Sequence, residues 1–216
     1  MVLGFSTAIC AAAPTVLGVI RFYKNMYSSE GYLTFTLPVN NHQHLISKTI
    51  VMVICEIAAV IVAMLSWMIA GSGIPEIWET IGIAIDGVIK VVPSGHLVGL
   101  IIEFILLMVV ALFTSPLLYY SCISIGQLSK KYKILVSIGV YYGYSMVGQI
   151  LSTIFSSIFS FFAALGNFDA VIEHIANNPY GYMHGAIWII IVIYAGLGVL
   201  FYFINNRIMT KKLNLE

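Results

Sequence analysis

The sequence predicts an all-α, polytopic bundle of transmembrane helices: about five spans with short amphipathic interfacial helices, forming a single transmembrane domain over residues 1–216. Three observations predict it. Of the 216 residues, 60% are hydrophobic and only 9% charged, whereas a soluble domain carries roughly 25% charged residues. So few charges cannot clothe a water-facing surface, but they suffice where lipid covers most of the protein. The apolar residues fall in continuous runs of about 20 or more, the length at which a helix crosses a bilayer while satisfying its own backbone polar groups. The cations are sorted along the chain: nine of the ten Lys and Arg fall in connections that would lie on one side of the membrane. Alternating apolar and polar positions, the mark of a β-barrel, are absent.

The first span covers residues 2–23. No basic stretch precedes it, and Arg21 and Lys24 follow the apolar run, so it reads as a retained helix and not a cleaved secretory signal. The second, 45–70, contains Glu56. The third, 97–127, contains Glu103 and Pro116, and the fourth is 134–165. Both exceed the minimum length and are expected to tilt or to project beyond the hydrocarbon. The fifth is 184–204. Proline at positions 14 and 116 removes a backbone hydrogen bond and can kink its helix. On the fourth span Gly139 and Gly143 form a G-x-x-x-G, continued by Gly148 and by Ser152, Ser156 and Ser160. Small residues let helix backbones approach closely, either within one chain or across a dimer seam.

The connections are a loop over 24–44, expected to be cytoplasmic, and outer loops over 71–96 and 166–183. From Ile74 to Val92 apolar residues recur every three or four positions, with Glu76, Glu79, Asp86 and Lys90 largely opposite, which predicts an amphipathic helix at the outer interface. Asp169 to Asn177 suits a second, shorter one, capped by Asp169 and followed by Pro179. Arg21, Lys24, Lys48, Lys130, Lys131, Lys133, Arg207, Lys211 and Lys212 lie on one side. The outer connections hold five carboxylates against the single cation Lys90. The positive-inside rule therefore predicts a multi-pass protein of the cell membrane with a cytoplasmic C-terminus. It also places Met1 outside, and this uncommon start leads to the expectation that a first helix is missing upstream.

Several function classes are excluded. The sequence contains no G-x-x-x-x-G-K-[ST] phosphate loop, no H-E-x-x-H and no G-x-S-x-G. No catalytic residue, metal ligand or cofactor is expected in this chain, which reads as a non-enzyme. No basic patch on a soluble face exists for nucleic acid. His42 and His44 read as part of a solvated loop; His96, His174 and His184 read as scattered near the outer interface and as forming no site. Cys10, Cys55 and Cys122 lie inside apolar runs and read as small buried thiols, not as a disulfide framework. Glu56 and Glu103 are intramembrane polar candidates. Each should face the bundle interior or a wet cavity, as the lining of a path or as a partner of a neighbouring helix, and Glu103, shortly after His96, should lie near the outer interface.

The segment Arg21 to Lys48, RFYKNMYSSEGYLTFTLPVNNHQHLISK, is too polar to span and too long for a tight turn. It mixes Phe22, Tyr23, Tyr27, Tyr32 and Phe35 with Arg21, Lys24 and Glu30; Gly31 allows a sharp change of direction and Pro38 ends what precedes it. Such a connection suits a soluble partner. It resembles a stretch of the permease subunits of ABC-2 type transporters, particularly small bacterial ones, in its R-F-Y-K-N start at Arg21 to Asn25, its E-G-Y-L-T-F-T-L-P-V at Glu30 to Val39, and Ser47 with Lys48 before the next span. The stretch Ser124 to Lys131 is also similar.

The resemblance implies six spans with both termini inside, so this sequence departs by lacking the first span and the amphipathic cytoplasmic helix before it. It implies a partner ATPase (nucleotide-binding) subunit gripping Arg21, Lys24, Glu30, Gly31, Tyr32 and Pro38, and a second permease chain in a homo- or heterodimer, all within the lipid bilayer. Export of an amphipathic cargo is the implied activity. The rival readings are a non-transporting scaffold or sensor that recruits a cytoplasmic partner, and an ion-coupled transporter relying on Glu56 and Glu103. Against the last, no internal repeat is apparent.

Overall fold

A computed structural model describes residues 2–28, 31, 40–164, 173 and 175–211. Among them every long element is an α-helix: α1 (Val2–Tyr27), α2 (Asn41–Gly71), α3 (Pro75–Val91), α4 (Ser94–Gly126), α5 (Lys133–Ala164) and α6 (Pro179–Lys211). Four of these are long and apolar enough to cross a membrane: α2, α4, α5 over Lys133–Ile158, and α6 over Pro179–Thr210. The remaining expected span, the first, over 2–23, corresponds to α1. It is not among the four, and its first side chains lie outside the described residues.

Local chemistry sets the helix ends. Asn40 is extended before α2, and its backbone N–H donates to Gln43 Oε1 at 3.3 Å, satisfying a group that the first turn leaves without a helical partner. Pro75 opens α3 and Pro93 immediately precedes α4, positions where a missing N–H costs nothing. Between α2 and α3 the Trp78 indole N–H donates to Gly71 O at 2.9 Å, folding α3 back at the end of α2. The expected amphipathic helix is thus present as α3, but all of its residues are exposed and none reaches a core. The expected helix over 169–177 falls largely outside the described residues.

α4 and α6 form the main interface. They run parallel, since His96 meets His184, Thr114 meets Tyr194 and Ser124 meets Asn205 in ascending order along both helices. The single Thr114 hydroxyl proton is shared between Val110 O on its own helix, 2.9 Å away, and Tyr194 O on α6, 3.1 Å away, and the backbones close here because Gly198 has no Cβ: one built there would sit 2.9 Å from Thr114 Oγ1. α2 packs antiparallel to α4, with Lys48 O beside Tyr120 and Glu56 beside Ser115. α1 packs on α2 and α4, while α5 packs chiefly on α4.

The α4–α5 link is held by a close approach at Gly126. A Cβ there would overlap Ser137 Oγ and come within 2.7 Å of Lys133 O. Pro116 is buried within an uninterrupted α4.

Most apolar side chains face outward. In the most apolar windows of the four candidate spans at most 17% of residues are buried, and Ile54, Ile61, Met64, Leu65 and Met68 each expose half or more of their surface. In water an apolar patch of this extent would aggregate; against lipid tails it is the expected outer surface.

Candidate functional site

The bundle has two chemically distinct ends. At the basic end α1, α4 and α6 finish and α2 begins, bringing Arg21, Lys24, Lys48 and Arg207 to one region. At the acidic end lie α3, with Glu76, Glu79 and Asp86, and the starts of α4 and α6.

The basic end contains the buried core: Phe22, Met26, Tyr27, Leu45, Met52, Tyr120, Ile123 and Met209. Phe22 and Tyr120 stack with ring centroids 3.8 Å apart, and the Tyr120 hydroxyl donates to Lys48 O at 3.2 Å. Through this core runs a polar chain. The Tyr27 hydroxyl donates to Ser124 Oγ at 2.8 Å, Ser124 donates to Asn205 Oδ1 at 2.8 Å, and Asn205 Nδ2 donates to Leu117 O and Phe201 O. Ser124 and Asn205 are fully buried, so every proton and lone pair in this chain that lacked a partner would be costly. These bonds tie α1, α4 and α6 together near the end of α1. Asn41 Nδ2, at the start of α2, adds a bond to Met209 O at 3.3 Å.

Of the residues expected to grip a partner, Arg21 and Lys24 stand exposed on the last turns of α1. They lie on a helix and not in the loop, because α1 continues to Tyr27. Gly31 is buried, and its N–H donates to Ser28 O at 2.8 Å. Glu30, Tyr32 and Pro38 lie outside the described residues.

Glu56 is half-buried between α2 and α4 and accepts a hydrogen bond from Ser115 Oγ at 3.3 Å. Glu103 is part of a larger arrangement at the acidic end. Its Oε2 lies 2.7 Å from His184 Nδ1, and its Oε1 accepts from Trp188 Nε1 at 3.0 Å. His184 Nε2 lies 3.2 Å from His96 Nδ1, and His96 stacks on Tyr180, whose hydroxyl donates to Val91 O at 2.7 Å. The side chains of His184 and Glu103 are 22% and 13% exposed, so the cluster is partly shielded but reaches the surface through His96. It can lock α4 to α6, and it forms a continuous hydrogen-bonded path from Glu103 through two imidazoles to the surface.

This corrects the expectation that His96 and His184 are scattered; His174 lies outside the described residues. The signal was present within each helix. Glu103 follows His96 by two helical turns and Trp188 follows His184 by one, so each pair shares a face. What the sequence lacked was the parallel pairing of α4 with α6. The cluster is a hydrogen-bonded chain, and among the described residues no three His, Cys, Asp or Glu side chains are arranged to hold a metal ion.

Two smaller expectations also change. Cys122 is buried, but Cys55 is exposed, on the wall of an open cleft between α1 and α2; the Cys10 side chain is outside the described residues. The small-residue stripe on α5 is not used for close packing within the chain: a Cβ at Gly139, Gly143 or Gly148 would meet nothing within 4 Å.

No family model, curated protein or solved structure matches this chain.

Proposed function

We propose that this chain is the membrane-spanning permease subunit of an ABC-type transporter, exporting an amphipathic cargo and powered by a separate ATPase that docks at the basic end. The observation that carries the reading is the segment Arg21 to Lys48, with its R-F-Y-K-N and E-G-Y-L-T-F-T-L-P-V runs. Its described ends support it physically. They are anchored in the one extensive core of the described residues, so a force applied to the connection is delivered to α1, α2, α4 and α6 together. A flexible loop on a loose bundle could not couple nucleotide-driven closure to helix repacking; a connection rooted in a packed core can bias the bundle between two discrete arrangements. The basic end is cytoplasmic in this reading, the C-terminus with it.

The test is affinity purification of the C-terminally tagged chain from its native membrane in mild detergent, with the eluate assayed for a bound ATPase and for ATP hydrolysis. A stoichiometric ATPase that is lost from Glu30→Lys and Gly31→Pro variants of unchanged thermal stability is the expected result. An eluate with a different soluble partner and no nucleotide-binding protein would replace the permease with a recruiting scaffold or sensor.

A further inference from the structure

A cleft of about 570 Å³ opens between α1 and α2, within the range of roughly 300–1,000 Å³ typical of small-molecule sites. Its lining is ordered along the helix axes. At the basic end the walls are Arg21 and Asn25 of α1 facing Ser47 and Lys48 of α2. One to two turns further in, the walls become Leu17 and Gly18 against Val51 and Met52, and then Ala13 and Pro14 against Cys55. The helices approach closely midway, where a Cβ on Gly18 would lie 2.8 Å from Met52 Sδ. Arg21 and Lys48 share the mouth and are near enough to sense each other's charge. An anion at the mouth would face both side chains and accept charge-assisted hydrogen bonds from each. The cleft is therefore cationic at one end and apolar along the rest, with the cationic end at the level of the other basic residues.

We propose that this cleft binds an anionic phospholipid of the leaflet at the basic end, its phosphate between Arg21 and Lys48 and one acyl chain along Leu17, Val51 and Ala13. The polarity runs the way a lipid in that leaflet runs, headgroup outward and tail toward the bilayer middle. Cation clusters at this depth recognise anionic headgroups. A free anion would have no use for the apolar two-thirds of the cleft, and a neutral amphiphile none for its mouth. The assignment requires that the chain sit in a bilayer; it does not rest on the permease reading.

Native mass spectrometry of the full purified chain in detergent tests it, with phosphatidylglycerol and phosphatidylcholine added in equal amounts. The expected result is a preference for phosphatidylglycerol of about tenfold, from two cations facing one headgroup. It should fall to parity in Arg21→Gln/Lys48→Gln but persist in Lys130→Gln/Lys131→Gln, which removes the same charge from the same end outside the cleft. Leu17→Trp keeps both cations but fills the apolar wall, and retention should drop severalfold. Three outcomes would each overturn the site: no preference in the unmodified chain, equal loss in both charge pairs, or full retention in Leu17→Trp. Displacement of the lipid by excess glycerol phosphate would also overturn it, by showing that the tail contributes nothing.

Discussion

At the basic end Phe22, Tyr120, Ser124 and Asn205 are almost wholly removed from solvent, and their hydrogen bonds run through a packed apolar core. At the acidic end His96, Glu103, His184 and Trp188 make contacts of similar length with half or more of that cluster's residues exposed, and α3 beside them buries nothing. The distances alone would rate the two regions alike. Their surroundings do not. A bond whose broken form leaves a buried group unpaired resists opening, whereas one whose broken form meets water or headgroups opens at little cost. The molecule is thus fastened at one end and latched at the other, and a two-state motion would pivot on the basic end while the acidic end separates.

Substitutions can break or sharpen that contrast, and equilibrium unfolding in mixed micelles reads all of them. Tyr120→Ala removes a stacked ring and the bond to Lys48 O, and should cost about 3–5 kcal/mol, the usual range for deleting a buried aromatic. A cost below that of any acidic-end variant would reverse the comparison. Gly198→Val pushes a side chain against Thr114 where α4 and α6 touch, and overpacking of this kind costs about 1–3 kcal/mol. Because it lies between the two ends, it should also weaken the protection of His184 against hydrogen exchange. Asn205→Leu keeps the volume but strips Ser124 and Leu117 O of a partner, for about 1–2 kcal/mol.

Glu103→Gln should be the mildest. Hydrogen bonds between membrane helices average about 0.6 kcal/mol, and Gln can still accept from Trp188. Its effect should instead appear in distance measurements between spin labels at positions 98 and 190, which should broaden in Glu103→Gln and stay narrow in Asn205→Leu. Identical distributions in the two variants would remove the latch.

The helical runs were legible because lipid leaves the backbone no alternative: an apolar stretch such as Ile50 to Leu65, broken only by Glu56, can satisfy its N–H and C=O groups only as a helix. Amphipathic α3 was legible from the three-and-four spacing of Ile77, Ile81, Ile85 and Val88. The sites were less so. Ser124 and Asn205 are single polar residues within apolar runs, and nothing local says that they meet each other across 81 positions. His96 and His184 stand 88 apart, and their partnership exists only once α4 and α6 lie parallel. Hydropathy reports the medium around a helix but is silent on its rotation and on its neighbours, which is why the exposure of Cys55 and the open space at the α5 glycines were not legible.

The Tyr27–Ser124–Asn205 chain has a consequence for biosynthesis. Its three members come from the opening, middle and closing parts of the sequence, separated by 97 and 81 residues. During translation Tyr27 and Ser124 are therefore delivered to the membrane well before Asn205 has been made. Until α6 enters, Ser124 can receive from Tyr27 but has no acceptor for its own proton beyond its helix, and the last core residue, Met209, is missing too. A nascent chain stalled before α6 would expose polar groups in an apolar medium, the feature by which membrane quality control tells unfinished proteins from finished ones. Helix α6 thus acts as the keystone, because its arrival supplies both the acceptor for Ser124 and the Met209 side chain that completes the core.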